Sequence, residues 1–187
     1  MTQPLVVTAY TPGYADLVQR LIASCDRFGM DVCALPYPDR GSWEANTHVK
    51  TDALSYALEA PGLRHLLWVD ADAEFVAPWT WELPASADVA VHVLRRAPGR
   101  NPETLSGTVY VRRSAVLPVL AAWRRASRPD KWDQRCLESA LPSLRWCELP
   151  PECCWIHDTH PGLFPDVSPV VVHYQASREV RKGKRKA

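Results

Sequence analysis

The sequence predicts an α/β protein, a single compact domain with a mostly parallel central sheet flanked by helices. Three observations predict it. An apolar run, a helical stripe and a second apolar run follow one another at the start of the chain, the order of a βαβ unit with parallel strands and a right-handed crossover. Leu66-Leu67-Trp68-Val69 is an unbroken apolar run, which suits a strand buried on both faces of such a sheet. The chain has 187 residues, 47% of them hydrophobic, the size of one domain with a filled core.

Each element has its own signal. Leu5-Val6-Val7-Thr8-Ala9 reads as a buried strand, and Tyr10-Thr11-Pro12-Gly13 turns the chain after it. Leu17, Leu21, Cys25 and Phe28 recur at helical spacing, widened by Val18 and Ile22. Asp16, Gln19, Arg20 and Arg27 take the opposite face, and Gly29 stops the helix. Residues 30–35 form the second strand. Residues 36–46, with two prolines, a glycine and Trp43, read as a loop. Residues 47–58 are helical, with Val49, Ala53, Leu54, Ala57 and Leu58 on the apolar face. The run 66–69 is the third strand and ends at Asp70-Ala71-Asp72. After a stretch rich in proline and tryptophan (Pro78, Trp79, Trp81, Pro84), residues 88–94 are a further strand. Residues 95–105 are polar and expected to be mobile, and 108–112 alternate like a strand near a surface. Residues 115–126 and 133–141 read as helices, and 144–149 and 170–174 as extended.

Composition narrows the function classes. Lys+Arg 22 against Asp+Glu 21 gives a net charge of +1. Arg178, Arg181, Lys182, Lys184, Arg185 and Lys186 outweigh Glu179, so 178–187 carry +5 and the rest of the chain −4. This layout predicts a domain over 1–177 and a flexible basic tail over 178–187 that can reach phosphates. No apolar run approaches the roughly 18 residues of a membrane span, and the N-terminus lacks the pattern of a secretory signal. A membrane channel, a secreted disulfide knot, a repeat array and a coiled coil are excluded, and a cytoplasmic location is expected. The six cysteines form no C-x-x-C pair, and Cys153-Cys154, beside Trp155 and Ile156, read as buried thiols rather than a metal or redox site.

Asp70-Ala71-Asp72 is the sharpest chemical feature. Ligands of open α/β sheets bind beyond the carboxyl ends of the strands. Two carboxylates at that place call for a hard divalent cation, Mn²⁺ or Mg²⁺, which takes oxygen ligands and can also hold phosphates. The plain alternative is an aspartate turn closing a strand.

Leu67-Trp68-Val69-Asp70-Ala71-Asp72 resembles the D-x-D region of GT-A-fold nucleotide-sugar glycosyltransferases. The likeness extends in order along almost the whole chain. It includes Val6-Val7-Thr8-Ala9-Tyr10, then Trp43, Asn46 and Lys50, then Ser106-Gly107-Thr108 and Asp133-Gln134. Leu149-Pro150 with Cys153, and Val172-His173-Tyr174-Gln175-Ala176-Ser177, complete it. The resemblance implies a GT-A-like, Rossmann-like sheet and a donor that is a nucleotide-diphosphate sugar. It implies that Thr8, Ala9 and Tyr10 cradle the nucleotide and that Asp70 and Asp72 hold the metal, with His173 completing its shell. Ser106-Gly107-Thr108 would flank the donor sugar. Asp133 and Gln134 would stand at the reacting centre, a pair more like retaining than inverting members. Transfer of a hexosyl or pentosyl group to a hydroxyl acceptor is the implied reaction.

The chemistry agrees with these roles. Cleaving a sugar–diphosphate bond leaves charge on the phosphate, which a divalent cation neutralises. Lys50 would add a second positive group, or else be an exposed helix lysine. Gly107 allows close backbone approach or merely turns the chain. Asp133 would deprotonate the acceptor, bind sugar hydroxyls, or cap a helix. His173 would bind metal or sit in the core. Trp43, Trp68, Trp79, Trp81 and Trp155 are candidates for stacking, though most large rings serve a core.

Three other readings compete. A haloacid-dehalogenase-type phosphatase also uses D-x-D after an apolar strand, but there the motif comes early, with Thr or Val where this chain has Glu74. A sugar-nucleotide pyrophosphorylase would show a glycine-rich, arginine-bearing loop after the first strand, unlike residues 8–13. A nucleic-acid-binding module would be led by the basic tail. The tail also motivates a hybrid expectation, a hydroxylated DNA base as the acceptor.

Overall fold

The computed structural model describes residues 3–60, 62, 64–128 and 130–176. Strand β1 (Leu5–Tyr10) lies between β2 (Val32–Pro36) and β3 (Leu66–Val69), parallel to both. Helix α1 (Ala15–Arg27) makes the crossover from β1 to β2. Beyond β3 come β6 (Glu103–Val111), β5 (Val89–Leu94) and β7 (Trp146–Glu148). β6 is antiparallel to both β3 and β5, and β7 is parallel to β5, so five strands point one way and β6 alone opposes them. The expected mostly parallel sheet flanked by helices is what the chain forms. No helix among the described residues is long and apolar enough to cross a membrane.

β6 corrects the expectation of a surface strand over 108–112. It is nine residues long, lies inside the sheet, and is almost wholly buried from Thr104 onward. Thr104, Ser106 and Thr108 are buried polar residues that mask its core position in the sequence. The stretch 95–105, expected to be mobile, supplies the first three residues of this strand. The loop expected over 36–46 gives way to a short helix α2 (Trp43–Thr47), started by the Ser42 hydroxyl, which accepts from the Ala45 N–H at 3.1 Å.

Alternation along the strands divides the core between the two faces of the sheet. Val7, Trp68, Val91 and Val109 face a layer that includes α3 (Val49–Ala57), α4 (Val116–Ala126) and α5 (Asp133–Ala140). Val6, Leu67, Val69 and Tyr110 face α1 and Phe75, Trp79 and Leu149. Each such side chain, fully buried, contributes about 1.5–3 kcal/mol. Trp79 and Trp81 pack edge-on against Tyr110, which accounts for them as scaffold rather than stacking surface.

A second, three-stranded sheet was not legible in the sequence. β4 (Ala73–Phe75) pairs antiparallel with β9 (Val171–His173), which pairs parallel with β8 (Trp155–Ile156). These strands are two or three residues long and far apart in the chain, too short for any periodic signal. Their register sets Ala73 opposite His173, which brings residues 171–173 back to the D-x-D segment.

Beneath this sheet lies a buried histidine pair. Ile156 N–H donates to His160 Nδ1 at 2.9 Å, and the ring nitrogens His160 Nε2 and His92 Nε2 are 3.2 Å apart. His92 Nδ1 is 2.9 Å from the Leu149 carbonyl, which can only accept. The partners assign the protons: His92 carries its proton on Nδ1 and His160 on Nε2, and both rings are neutral. Burial, then the neighbouring His92, holds His160 down to about 4 from its ordinary 6.5. The unfolded chain therefore binds the proton more readily than the folded one. Stability should be constant above about pH 6.5, fall as the pH drops from there to about 4, and level off below, as far as this group governs it. Urea unfolding of the wild type and His160→Gln across pH 4–8 should show this slope in the wild type and a shallower one in the variant.

Candidate functional site

A cleft of about 600 Å³ opens at the carboxyl ends of β1 and β3. Ala9 and Tyr10 line it, as does Lys50 from α3. Thr8 does not reach it. It is fully buried within β1, and its hydroxyl has no hydrogen-bond partner. Ser106 and Gly107 line the cleft for a specific reason. The register between β5 and β6 jumps from Val91 opposite Val109 to His92 opposite Leu105, so residues 106–108 leave the β5 ladder. They stay attached on the other side, where Gly107 C=O accepts from Asp70 N–H at 2.9 Å.

Lys50 is neither an exposed helix lysine nor a free cation. It is 5% exposed, and its Nζ lies 2.8 Å from Asp70 Oδ1 and 2.9 Å from Asp133 Oδ2. It also donates to Ser106 O at 2.9 Å and Ser106 Oγ at 3.1 Å. Burial alone would lower its pKa, but Asp133 and Asp70 outweigh that and raise it. The ammonium thus joins α3, the end of β3, the bulged segment of β6 and the start of α5.

Asp70, Asp72 and His173 each offer a ligand atom, all within 4.8 Å of one another. Their other contacts hold them in place. Asp70 Oδ1 takes Lys50 and the Trp68 indole N–H (2.8 Å), which leaves Oδ2. Asp72 Oδ2 accepts from Ala176 N–H at 2.8 Å. His173 Nε2 is 2.8 Å from the Thr108 hydroxyl, which leaves Nδ1. Thr108 is buried outside the cleft and orients His173 rather than facing a ligand. The chain reaches Ala176 through Gln175, whose φ of 55° is a left-handed conformation that costs a non-glycine residue roughly 1 kcal/mol.

The electrostatics suit a divalent cation. Burial first, then Asp70's charge, pushes the Asp72 carboxyl up to about 6. Burial holds His173 down to about 4, so its ring is neutral and able to ligate. Lys50 against Asp70, Asp72 and Asp133 leaves a formal charge of −2. Two carboxylate oxygens and an imidazole nitrogen are a donor set that Mn²⁺ or Mg²⁺ accepts.

Asp133 opens α5 and is 3% exposed. It is not a side-chain cap. Its own N–H donates to Thr47 Oγ1, and its carbonyl accepts from the Trp123 indole. Lys50 is the partner of its Oδ2. Gln134 Nε2 donates to Glu103 Oε1 at 3.0 Å, and Arg96 lies 3.3 Å from Glu103 Oε2. Gln175, from the 172–177 segment, lines the cleft, as do Arg96, Glu103 and Trp132, which escaped the sequence reading because no local pattern links them. Among the candidate stacking rings, Trp43 lines the cleft and packs on Trp132 with centroids 5.9 Å apart. Trp68 also touches the cleft but is 2% exposed, and Trp155 packs on His160. The paired thiols lie in the core, and burial pushes Cys154 up to about 12.

Among solved structures, the chain aligns end to end with a glycosyltransferase involved in the glycosylation of the major capsid of PBCV-1. That match covers 100% of both chains at 17% identity, with a TM-score of 0.75. The chain shares the fold of that glycosyltransferase. It also aligns with the glycosyltransferase GlyE of Streptococcus pneumoniae TIGR4, over 92% of this chain at 13% identity and a TM-score of 0.60. There the chain spans 55% of GlyE's length, and the apo form of GlyE gives the same score. No protein-family model and no curated protein matches by sequence. The GT-A-like expectation agrees with these matches, and the likeness is one of fold.

Two outcomes follow from the packing around Lys50 and Gly107. Lys50→Ala should cost about 3–5 kcal/mol in urea unfolding, because it strands the buried Asp133 charge. Adding Asp133→Asn to that variant should recover part of the loss. A Cβ on Gly107 would lie 2.9 Å from His173 Cε1 and 3.1 Å from Nδ1, against a ring already held by Thr108. Gly107→Ala should therefore cost about 1–3 kcal/mol and shift the His173 ring resonances in NMR spectra.

Proposed function

We propose that this protein is a metal-dependent glycosyltransferase that moves a hexose or pentose from a nucleotide-diphosphate sugar to a hydroxyl acceptor. The observation that carries the reading is the convergence of Asp70, Asp72 and His173, one ligand atom each within 4.8 Å of the others, inside a cleft of glycosyltransferase-like fold. The motif stands after the third strand of the sheet and a complete βαβ unit, which favours this reading over a phosphatase.

Asp70, Asp72 and His173 would hold Mn²⁺ or Mg²⁺, which when bound would neutralise the charge that develops on the departing diphosphate. Ala9 and Tyr10, at the mouth of β1, cradle the nucleotide. Ser106 and Gly107 admit the donor sugar. Asp133, immobilised by Lys50, binds a sugar hydroxyl, and Gln134 stands beside the reacting carbon, as in the retaining pattern the pair resembles. The bond from the anomeric carbon to the diphosphate oxygen breaks, and one from that carbon to the acceptor oxygen forms. The acceptor's proton leaves with the diphosphate. The DNA-base expectation rests on residues 178–187, outside those described, and forms no part of the proposal.

A panel of nucleotide sugars with and without Mn²⁺ should raise the melting temperature for the authentic donor only when metal is present. Asp72→Ala should abolish that rise, and should cut Mn²⁺-dependent donor hydrolysis at least a hundredfold while keeping the far-ultraviolet circular dichroism. Retained hydrolysis, or stabilisation by a sugar phosphate without a nucleotide, overturns the reading.

A further inference from the structure

Beside the cleft, and sharing Arg96 and Glu103 with it, lies a second open hollow of about 670 Å³. Arg100, Asn101, Arg135 and Glu138 form its other walls. Four of its charged groups are matched in pairs: Arg96 with Glu103 at 3.3 Å, and Arg135 with Glu138 at 2.7 Å. The Arg100 guanidinium has no partner among the described residues. Three arginines against two glutamates leave +1 here, on a body that carries −4 outside 178–187.

We propose that this hollow is the acceptor subsite and takes a saccharide bearing an anionic group, a phosphate or a carboxylate, with Arg100 as its counter-charge. The proposal rests on the glycosyltransferase reading and adds the acceptor's chemistry to it. Position is the first argument. Glu103 lines both the hollow and the cleft and accepts from Gln134 on Oε1, so a sugar lodged against Glu103 lies beside Gln134 of the cleft. The lining is the second. Paired guanidinium and carboxylate edges offer fixed donors and acceptors side by side, which match the neighbouring hydroxyls of a sugar ring. The charge is the third. With the other four groups paired, Arg100 is the cation left to meet an anion, and guanidinium suits both phosphate and carboxylate.

Titrating the full-length, ¹⁵N-labelled protein with glucose, glucose 6-phosphate, glucuronate and inorganic phosphate tests this. Glucose 6-phosphate or glucuronate should shift the amides of Arg100, Asn101 and Arg135 and bind about tenfold more tightly than glucose, and whichever binds more tightly identifies the anion. Arg100→Ala should bring the anionic sugar down to the level of glucose, and Arg100→Lys should restore most of the difference. Equal binding of glucose and the anionic sugars, or no shifts in these amides, overturns the proposal. So does inorganic phosphate binding as well as glucose 6-phosphate, since that marks an anion site without sugar recognition. Donor binding with Mn²⁺, scored on the same samples, separates failure of this proposal from failure of the glycosyltransferase reading.

Discussion

The site depends on a single buried ammonium. Lys50 sits between Asp70, which is a third exposed, and Asp133, which is buried and whose charge would be strongly unfavourable without a partner. By donating also to Ser106, it ties the bulged part of β6 to the same point. Four segments distant in sequence are held together by one side chain whose own burial is offset by the two carboxylates it joins.

The antiparallel strand β6 makes that arrangement possible. It runs against its neighbours, so its early half lies at the end of the sheet where β1 and β3 finish. Because residues 106–108 leave the β5 ladder there, their polar atoms are free to take up Lys50 and His173. Gly107 completes the seat, since only a residue without a Cβ lets the His173 ring lie so close. The small second sheet does the rest by carrying His173 to Ala73 and, through the left-handed Gln175, Ala176 to Asp72.

The cleft and the neighbouring hollow meet at Glu103. It accepts from Gln134 on one oxygen and faces Arg96 on the other.

The sequence by itself determined the βαβ start, the buried third strand, the D-x-D at its end and the helices that follow. These are local patterns of apolar spacing and turn chemistry, and such patterns survive without tertiary context. Tertiary structure alone decided the interior place of β6, the second sheet, the confinement of Lys50 between two aspartates and the partnership of Glu103 with Gln134. In these cases the stabilising contact joins residues dozens of positions apart, and buried threonine, serine or glycine stands where a pattern reader expects apolar side chains. Thr8 shows the converse: its place in the motif suggested a ligand contact, but the pleat of β1 keeps its hydroxyl inside the sheet.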